Sequence, residues 1–329
     1  MSIQAYSDYT SQITKSVYFY STTIVVPMGL ILNFIQFLIF LRKDFEKGSF
    51  GFLMNSFIVT DSLALIFSFV IYLYLPQIGY NISIYSQIYC ALFIYVIRVF
   101  QEIPLYFQAY ISFCNYLNVS NFTRFVRFDK KLYHILCFTL ITVLITVFNF
   151  PNAFRVLQIK NSSKTCYKSP LVDVTVTLEY SILRSILPFI LINTLNLLTF
   201  KTILNSRIRL NRSIEKEIRF AKILIISGLF FILFNLPAAI ADITLNVYRY
   251  AYLYSSNTYF MLTLNLINNL TRSFSYIYYG IGFFINLFFN NKFRKILLIC
   301  FNEYSVRSTT QQQQQQTAQR TRTGQQTAT

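Results

Sequence analysis

The sequence contains no tryptophan, a single histidine and 12 acidic residues among 329. Without tryptophan, any aromatic belt at a membrane interface must come from the 25 tyrosines. With His134 as the one histidine, there is no His/Asp metal cluster and no pair of catalytic groups set at one depth. The chain therefore reads as a non-enzyme with no metal centre. Charge is scarce as well: 12% of residues are Asp, Glu, Lys or Arg, where a soluble domain carries about 25%.

What is present is apolar sequence in long blocks, 54% of the chain, with mean hydropathy +0.47. The formal charge of +17 comes from 29 basic residues. In a soluble protein that excess would point to nucleic acid. Here the basic residues lie between the apolar blocks, which is the pattern of a polytopic membrane protein with lipid, not nucleic acid, around it.

Seven spans are read, at 17–41, 51–75, 87–119, 132–154, 178–204, 218–246 and 258–290. Each is long enough for a hydrocarbon core of about 30 Å. The runs are continuous and lack a two-residue alternation, so helices are expected rather than a barrel. The expected fold is an all-α seven-transmembrane helix bundle (17–290), preceded by a polar extracellular N-terminus (1–16). A short amphipathic eighth helix (291–301) follows, with Phe293, Leu297 and Leu298 on the membrane surface, and then a disordered Gln-rich tail (302–329).

Twenty Lys and Arg residues fall in loops of one side and six on the other, which places the C-terminus in the cytosol and the N-terminus outside. No cleavable signal peptide is evident, so the first span is expected to act as its own signal. Asn81 and Asn161 stand in glycosylation sequons of outer loops. Cys90 and Cys166 both face the oxidising side, where a disulfide is expected. Cys300 closes the amphipathic piece as a palmitoylation candidate.

Polar residues inside the spans fall in helical stripes, and ionisable groups at that depth face the bundle interior. In the third span Arg98, Gln101, Glu102, Gln108, Ser112 and Asn115 share one face, with Arg98 and Glu102 four residues apart. Arg184, Asn235, Asp242 and Arg272 come from three other spans. Arg98, Gln101, Glu102, Arg184, Asn235, Asp242 and Arg272 are the candidate ligand-binding set. Three arginines against two carboxylates favour an anionic group on the ligand, a peptide terminus or a small acid. Interhelical glue is the competing reading for the uncharged members. Asp61 is alone in its span; a cation such as sodium, held with Asn33 and Asn286, or a proton would suit it. Pro237 gives the sixth span a hinge fit for a switch.

Several stretches resemble the rhodopsin-like (class A) G-protein-coupled receptors over nearly the whole chain to about residue 301. "GLILN", ending at Asn33, resembles the first-helix asparagine signature. "NSFIVTDSLAL" resembles the second-helix pattern that ends in a sodium-site Asp, here Asp61. Cys90 and Cys166 match the family disulfide. "FFILFNLP" resembles the sixth-helix motif, with Asn235 where tryptophan is usual, and "NNKFRKIL" resembles the short eighth helix. The departures are pointed. "FCNY" puts Asn115 where the family has the Arg of "DRY", keeping only Tyr116, and "GFFIN" replaces "NPxxY". The resemblance is to a divergent, invertebrate-type chemosensory or peptide receptor.

The resemblance implies a receptor that transduces an extracellular peptide or small anionic molecule to a heterotrimeric G protein at the plasma membrane. It implies coupling through Asn115, Tyr116, Arg124, Arg127 and Arg219, with a weakened inactive lock because Asn115 carries no charge. No Lys lies between Lys222 and Lys292, so a retinal Schiff base is excluded. A polytopic transporter or channel is the alternative, although no repeat symmetry is visible.

Overall fold

The computed structural model describes residues 2–46, 49–67, 87–120, 131–154, 158–160, 165–167, 179, 181–206, 215–251 and 258–300. The long elements are helices: α1 (Ile3–Phe40), α2 (Ser49–Leu65), α3 (Gln87–Val119), α4 (Lys131–Phe154), α5 (a π-helical turn Ile182–Ile186 continued by Leu187–Ser206), α6 (Glu215–Ala251), α7 (Thr258–Phe289) and α8 (residues 291–300). Between α4 and α5 lies one antiparallel hairpin, β1 (Gln158–Lys160) with β2 (Thr165–Tyr167), in which Ile159 pairs with Cys166.

Among the described residues, four stretches are long and apolar enough to cross a membrane: Ile3–Phe40, Lys131–Phe150, Ile182–Leu204 and Lys222–Tyr248. The distribution of side chains says what solvent the surface expects. Val147, Phe148, Leu197 and Leu233 are more than half exposed, whereas Gln36, Gln108, Ser112, Asn115 and Thr199 are buried. A soluble protein exposes scattered apolar residues, not whole helix faces. With lipid outside, there is no penalty for apolar surface, and the polar groups turn inward to satisfy one another.

Helix α3 is the hub, packing on α2, α4, α5 and α6, while α6 and α7 run together over much of their length and α1 lies against α2 and α7. The inner layer includes Leu65, Leu105, Ala109, Ile192, Phe231, Tyr276, Tyr278 and Tyr279. At the α1–α7 crossing two glycines meet: a Cβ on Gly280 would stand 3.0 Å from the Gly29 Cα. Small residues let helix backbones approach in this way where no hydrophobic effect drives association.

Prolines leave visible marks. The π-turns Ser21–Val25 and Ile182–Ile186 each precede a proline, Pro27 and Pro188. Proline removes an N–H and crowds the carbonyl four residues back, and a wider turn relieves both. In α5 that turn carries Arg184, which is buried.

Two expectations need correction. The first helix begins at Ile3, not near residue 17, so residues 3–16 of the polar segment are helical. It is held because Tyr6 meets Thr263 at 2.8 Å and Tyr18 donates to Asn269 at 2.7 Å, both on α7, and because Ser2 caps its start. In α8, Phe293 does not face the membrane: it is fully buried against Phe40 and Phe283, with Ile296 beside it, while Leu298 is exposed. Phe293 and Leu297, one turn apart on the same face, pack on the bundle, and Leu298 is on the exposed side.

Candidate ligand-binding site and the polar core

The site is built on α3. Gln101 donates from Nε2 to the Tyr276 hydroxyl at 3.2 Å, and its own carbonyl accepts from the Tyr279 hydroxyl at 3.0 Å. The Arg184 guanidinium stands 6.0 Å from the centre of the Tyr276 ring, a cation–π distance. Glu102, 1% exposed, accepts from Asn149 of α4 at 2.7 Å, and the charges of Arg98 and Arg184 act on it. One turn on, Tyr106 donates to the Leu183 carbonyl at the α5 π-turn. Gln101 and Arg184 thus meet at Tyr276, and Glu102 bonds to Asn149 within the electrostatic reach of Arg98 and Arg184; the unanticipated members are Tyr276 and Asn149. Neither carried a charge, and Tyr276 lies one helical turn beyond Arg272.

Arg272 and Asp242 form a second group. The Arg272 guanidinium donates to the Asp242 carboxylate at 2.6, 3.0 and 3.3 Å, a forked pair between α7 and α6. Asn235 is buried but bonds back to the Phe231 carbonyl of its own helix at 3.3 Å, so no hydrogen bond brings it into either group.

Toward the other end of α3 the polar contacts are between uncharged groups. Gln108 donates to Ser227 of α6 at 2.9 Å and accepts a short bond from the Tyr278 hydroxyl of α7. Asn196 of α5 donates to the Leu224 carbonyl of α6 at 3.1 Å, and a Cβ at Gly228 would collide with that amide at 2.7 Å. Tyr110 meets His134 Nδ1 at 2.8 Å, joining α3 to α4. Sequence reading found Gln108 but not its partners, because side-chain hydroxyls and amides leave no spacing signal across separate helices.

Asp61 is buried on α2 and its Oδ1 has no hydrogen-bond partner. The two asparagines expected to join it bond elsewhere: Asn33 to Ser62 at 3.3 Å and to the Tyr279 carbonyl at 3.1 Å, Asn286 to the Gly282 carbonyl at 3.0 Å. Pro237 lies within the unbroken helix α6. Asn115 is 1% exposed, and Tyr116 is half-buried beside it. Cys300, a free thiol, packs against the cluster around Phe293. Arg124, Arg127, Asn81 and Asn161, together with the side chains of Cys90, Cys166 and Arg219, lie outside the described residues, as does the tail from residue 301.

Among the described residues the fold is almost wholly helical, with apolar helices fit to span a membrane and a buried polar interior. No family model matches the chain. In an alignment 303 positions long that covers 84% of the chain, it is 22% identical to a Drosophila melanogaster protein described as an FMRFamide receptor; the chain spans about half of that relative, 52%.

Proposed function

We propose that the protein is a seven-transmembrane receptor of the rhodopsin-like kind. In this reading it takes an extracellular ligand into the half of the bundle nearer Gln87 and passes the signal to a heterotrimeric G protein at the other end. The single observation that carries it is the buried cluster Arg98–Glu102–Arg184–Tyr276–Gln101. Charges from separate helices converge at membrane depth, where they are costly unless they serve a ligand or a pathway. The similarity to a receptor named for a peptide supports the same reading and favours a peptide ligand.

The remaining elements follow from it. The N-terminus is outside and the C-terminus cytosolic, with α8 lying along the inner surface and the tail of residues 302–329 beyond it. Cys90 and Cys166 are disulfide-bonded, Asn81 and Asn161 glycosylated and Cys300 palmitoylated. Asp61 with Asn33 and Asn286 forms a sodium-sensitive switch about the Pro237 hinge. Coupling runs through Asn115, Tyr116, Arg124, Arg127 and Arg219.

The test is ligand-dependent G-protein activation by the full chain in cells, with a peptide library that includes FMRFamide. Loss of charge at Arg184 should weaken the response at unchanged surface expression. Ligand-driven ion or solute flux without G-protein activation would refute the receptor reading in favour of a transporter or channel.

A further inference from the structure

A groove of about 550 Å³ opens where α1, α2, α3 and α4 meet. Each helix gives it an aromatic wall: Phe40, Phe52, Phe107 and Phe138 in turn. Phe138 is the common neighbour, stacked on Phe107 at 3.9 Å and standing 6.2 Å from Phe52. A space of this size holds a whole ligand rather than a stray side chain.

Two lining residues break the apolar surface. Lys131, the first residue of α4, is exposed at the end of the groove where that helix begins. Asn55 lies six residues into α2 from Ser49, about 9 Å along the helix axis. Its Oδ1 is turned inward, with no hydrogen-bond partner among the described residues, so the N–H2 of the same planar amide points the other way. The groove thus has a cation at its rim, an amide donor deeper in and aromatic walls, which is the polarity profile of a membrane lipid.

Charge decides which lipid. Lys131 is the charged residue among the described lining residues, and the sequence leading into it, 120–131, carries Arg124, Arg127, Lys130 and Lys131 against Asp129. An anionic headgroup is attracted there. A zwitterionic headgroup brings its own ammonium against the same field, and a sterol leaves the cation unanswered.

We propose that the groove between α1, α2, α3 and α4 holds an anionic glycerophospholipid of the surrounding membrane. Its headgroup sits at Lys131, an ester carbonyl accepts from Asn55 Nδ2, and one acyl chain runs along the four phenylalanines. The site requires only that the chain lies in a membrane, so it holds for a receptor and for a transporter alike.

The chain has no tryptophan, so a single introduced one reports on one place. Leu136→Trp, exposed on α4 next to the lining residue Ile135, serves the groove; Leu197→Trp, 68% exposed on α5 and outside the groove, is the control. The purified full chain is placed in bilayers, and quenching by brominated-chain lipids measures each lipid's affinity relative to phosphatidylcholine. At Leu136→Trp phosphatidylserine should be favoured about fivefold, the effect of one lysine near a membrane surface, and at Leu197→Trp not at all. Lys131→Gln, a change at an exposed position, should remove that preference. Ester-linked phosphatidylserine should exceed its ether-linked analogue, which lacks the carbonyl, by about threefold, the effect of one hydrogen bond inside a membrane protein. Asn55→Leu should abolish the ester preference and leave the headgroup preference. Equal binding of phosphatidylserine and phosphatidylcholine at the groove overturns the proposal, as does a preference that survives Lys131→Gln or equal binding of the ester and ether lipids. Displacement of phosphatidylserine by dibromocholesterol would overturn it in favour of a sterol site. No G protein enters the measurement, so this result and the receptor reading stand or fall separately.

Discussion

Gln108 is the point at which the packing between α3, α6 and α7 can be tested most sharply. Gln108→Leu keeps the shape and removes both hydrogen bonds, the one given to Ser227 and the one taken from Tyr278. The two orphaned hydroxyls differ. Ser227 can turn back to its own helix, as Ser62 does to the Ile58 carbonyl and Thr199 to the Leu195 carbonyl, each at 2.8 Å. Losing its interhelical bond costs about 0.6 kcal/mol, the average for such bonds in a membrane protein. Tyr278 is harder to satisfy: its phenol is rigid, the residue is 3% exposed, and Ser227 is the group left beside its hydroxyl. An unsatisfied buried group of this kind costs about 1–3 kcal/mol. The sum expected for Gln108→Leu is about 1.6–3.6 kcal/mol. Tyr278→Phe, which strands the Gln108 Oε1, should cost about 1–3 kcal/mol. The double substitution removes donor and acceptor together and should cost only about 1 kcal/mol, less than either single change. Equilibrium unfolding of the purified protein in mixed micelles of increasing SDS content measures all three. Additive losses in the double variant would show that the two side chains do not depend on one another, and the three-helix bridge would be refuted.

Three further outcomes are expected. Gly280→Leu should lower stability by about 1–3 kcal/mol in the same assay, because its first carbon already stands 3.0 Å from the Gly29 Cα; an unchanged midpoint would mean that α1 and α7 do not cross so closely. Neutralising either member of the Arg272–Asp242 pair should destabilise by about 1–3 kcal/mol, Arg272 being 34% exposed and so partly screened. Exchanging the two residues should restore stability, and failure to do so would indicate that one of them is held by something other than its partner. Cys114→Asp combined with Asn115→Arg should raise ligand-driven G-protein activation more than basal activation at matched surface expression; silencing of a high basal level with no gain in maximum would instead assign the position to the resting lock.

What was legible in the sequence followed the energy terms that leave a pattern. Helices α3, α4 and α7 fall where apolar runs place them, because burying or lipidating a whole face demands a long continuous stretch. The inward turn of Arg98, Gln101, Glu102 and Asn115 followed from their three- and four-residue spacing. Residues 3–16 were missed because nothing local makes them apolar: their stability comes from Tyr6 and Tyr18 meeting α7, more than two hundred residues away. Asn149 and Tyr276 escaped for the same reason. Phe293 was recognised as apolar but assigned to the wrong neighbour, since amphipathicity alone cannot tell a lipid surface from the aromatic pocket of Phe40 and Phe283.

The polar chemistry along α3 is divided, and under the proposed receptor function the division bears on switching. In the half nearer Gln87 charged groups are present: Arg98, Glu102 and Arg184, with Asp242 in the last third of α6 paired to Arg272 at the middle of α7. In the half nearer Val119 they are amides and hydroxyls, with Gln108 bound to Ser227 and Tyr278, and Asn196 bound to α6. Charge-assisted bonds are roughly twice as strong as neutral ones and reach further in a low dielectric. A ligand group entering the charged half therefore acts on strong, long-range terms. The neutral half is held by weaker bonds, of which the one at Ser227 is replaceable within its own helix. Asn115 fits that logic. It is buried, and its amide nitrogen lacks a hydrogen-bond partner, so it contributes little to holding the helices in place. Contacts among the described residues that run through Gln108 and Asn196, uncharged groups, should be insensitive to salt, because there is no charge in them to be screened.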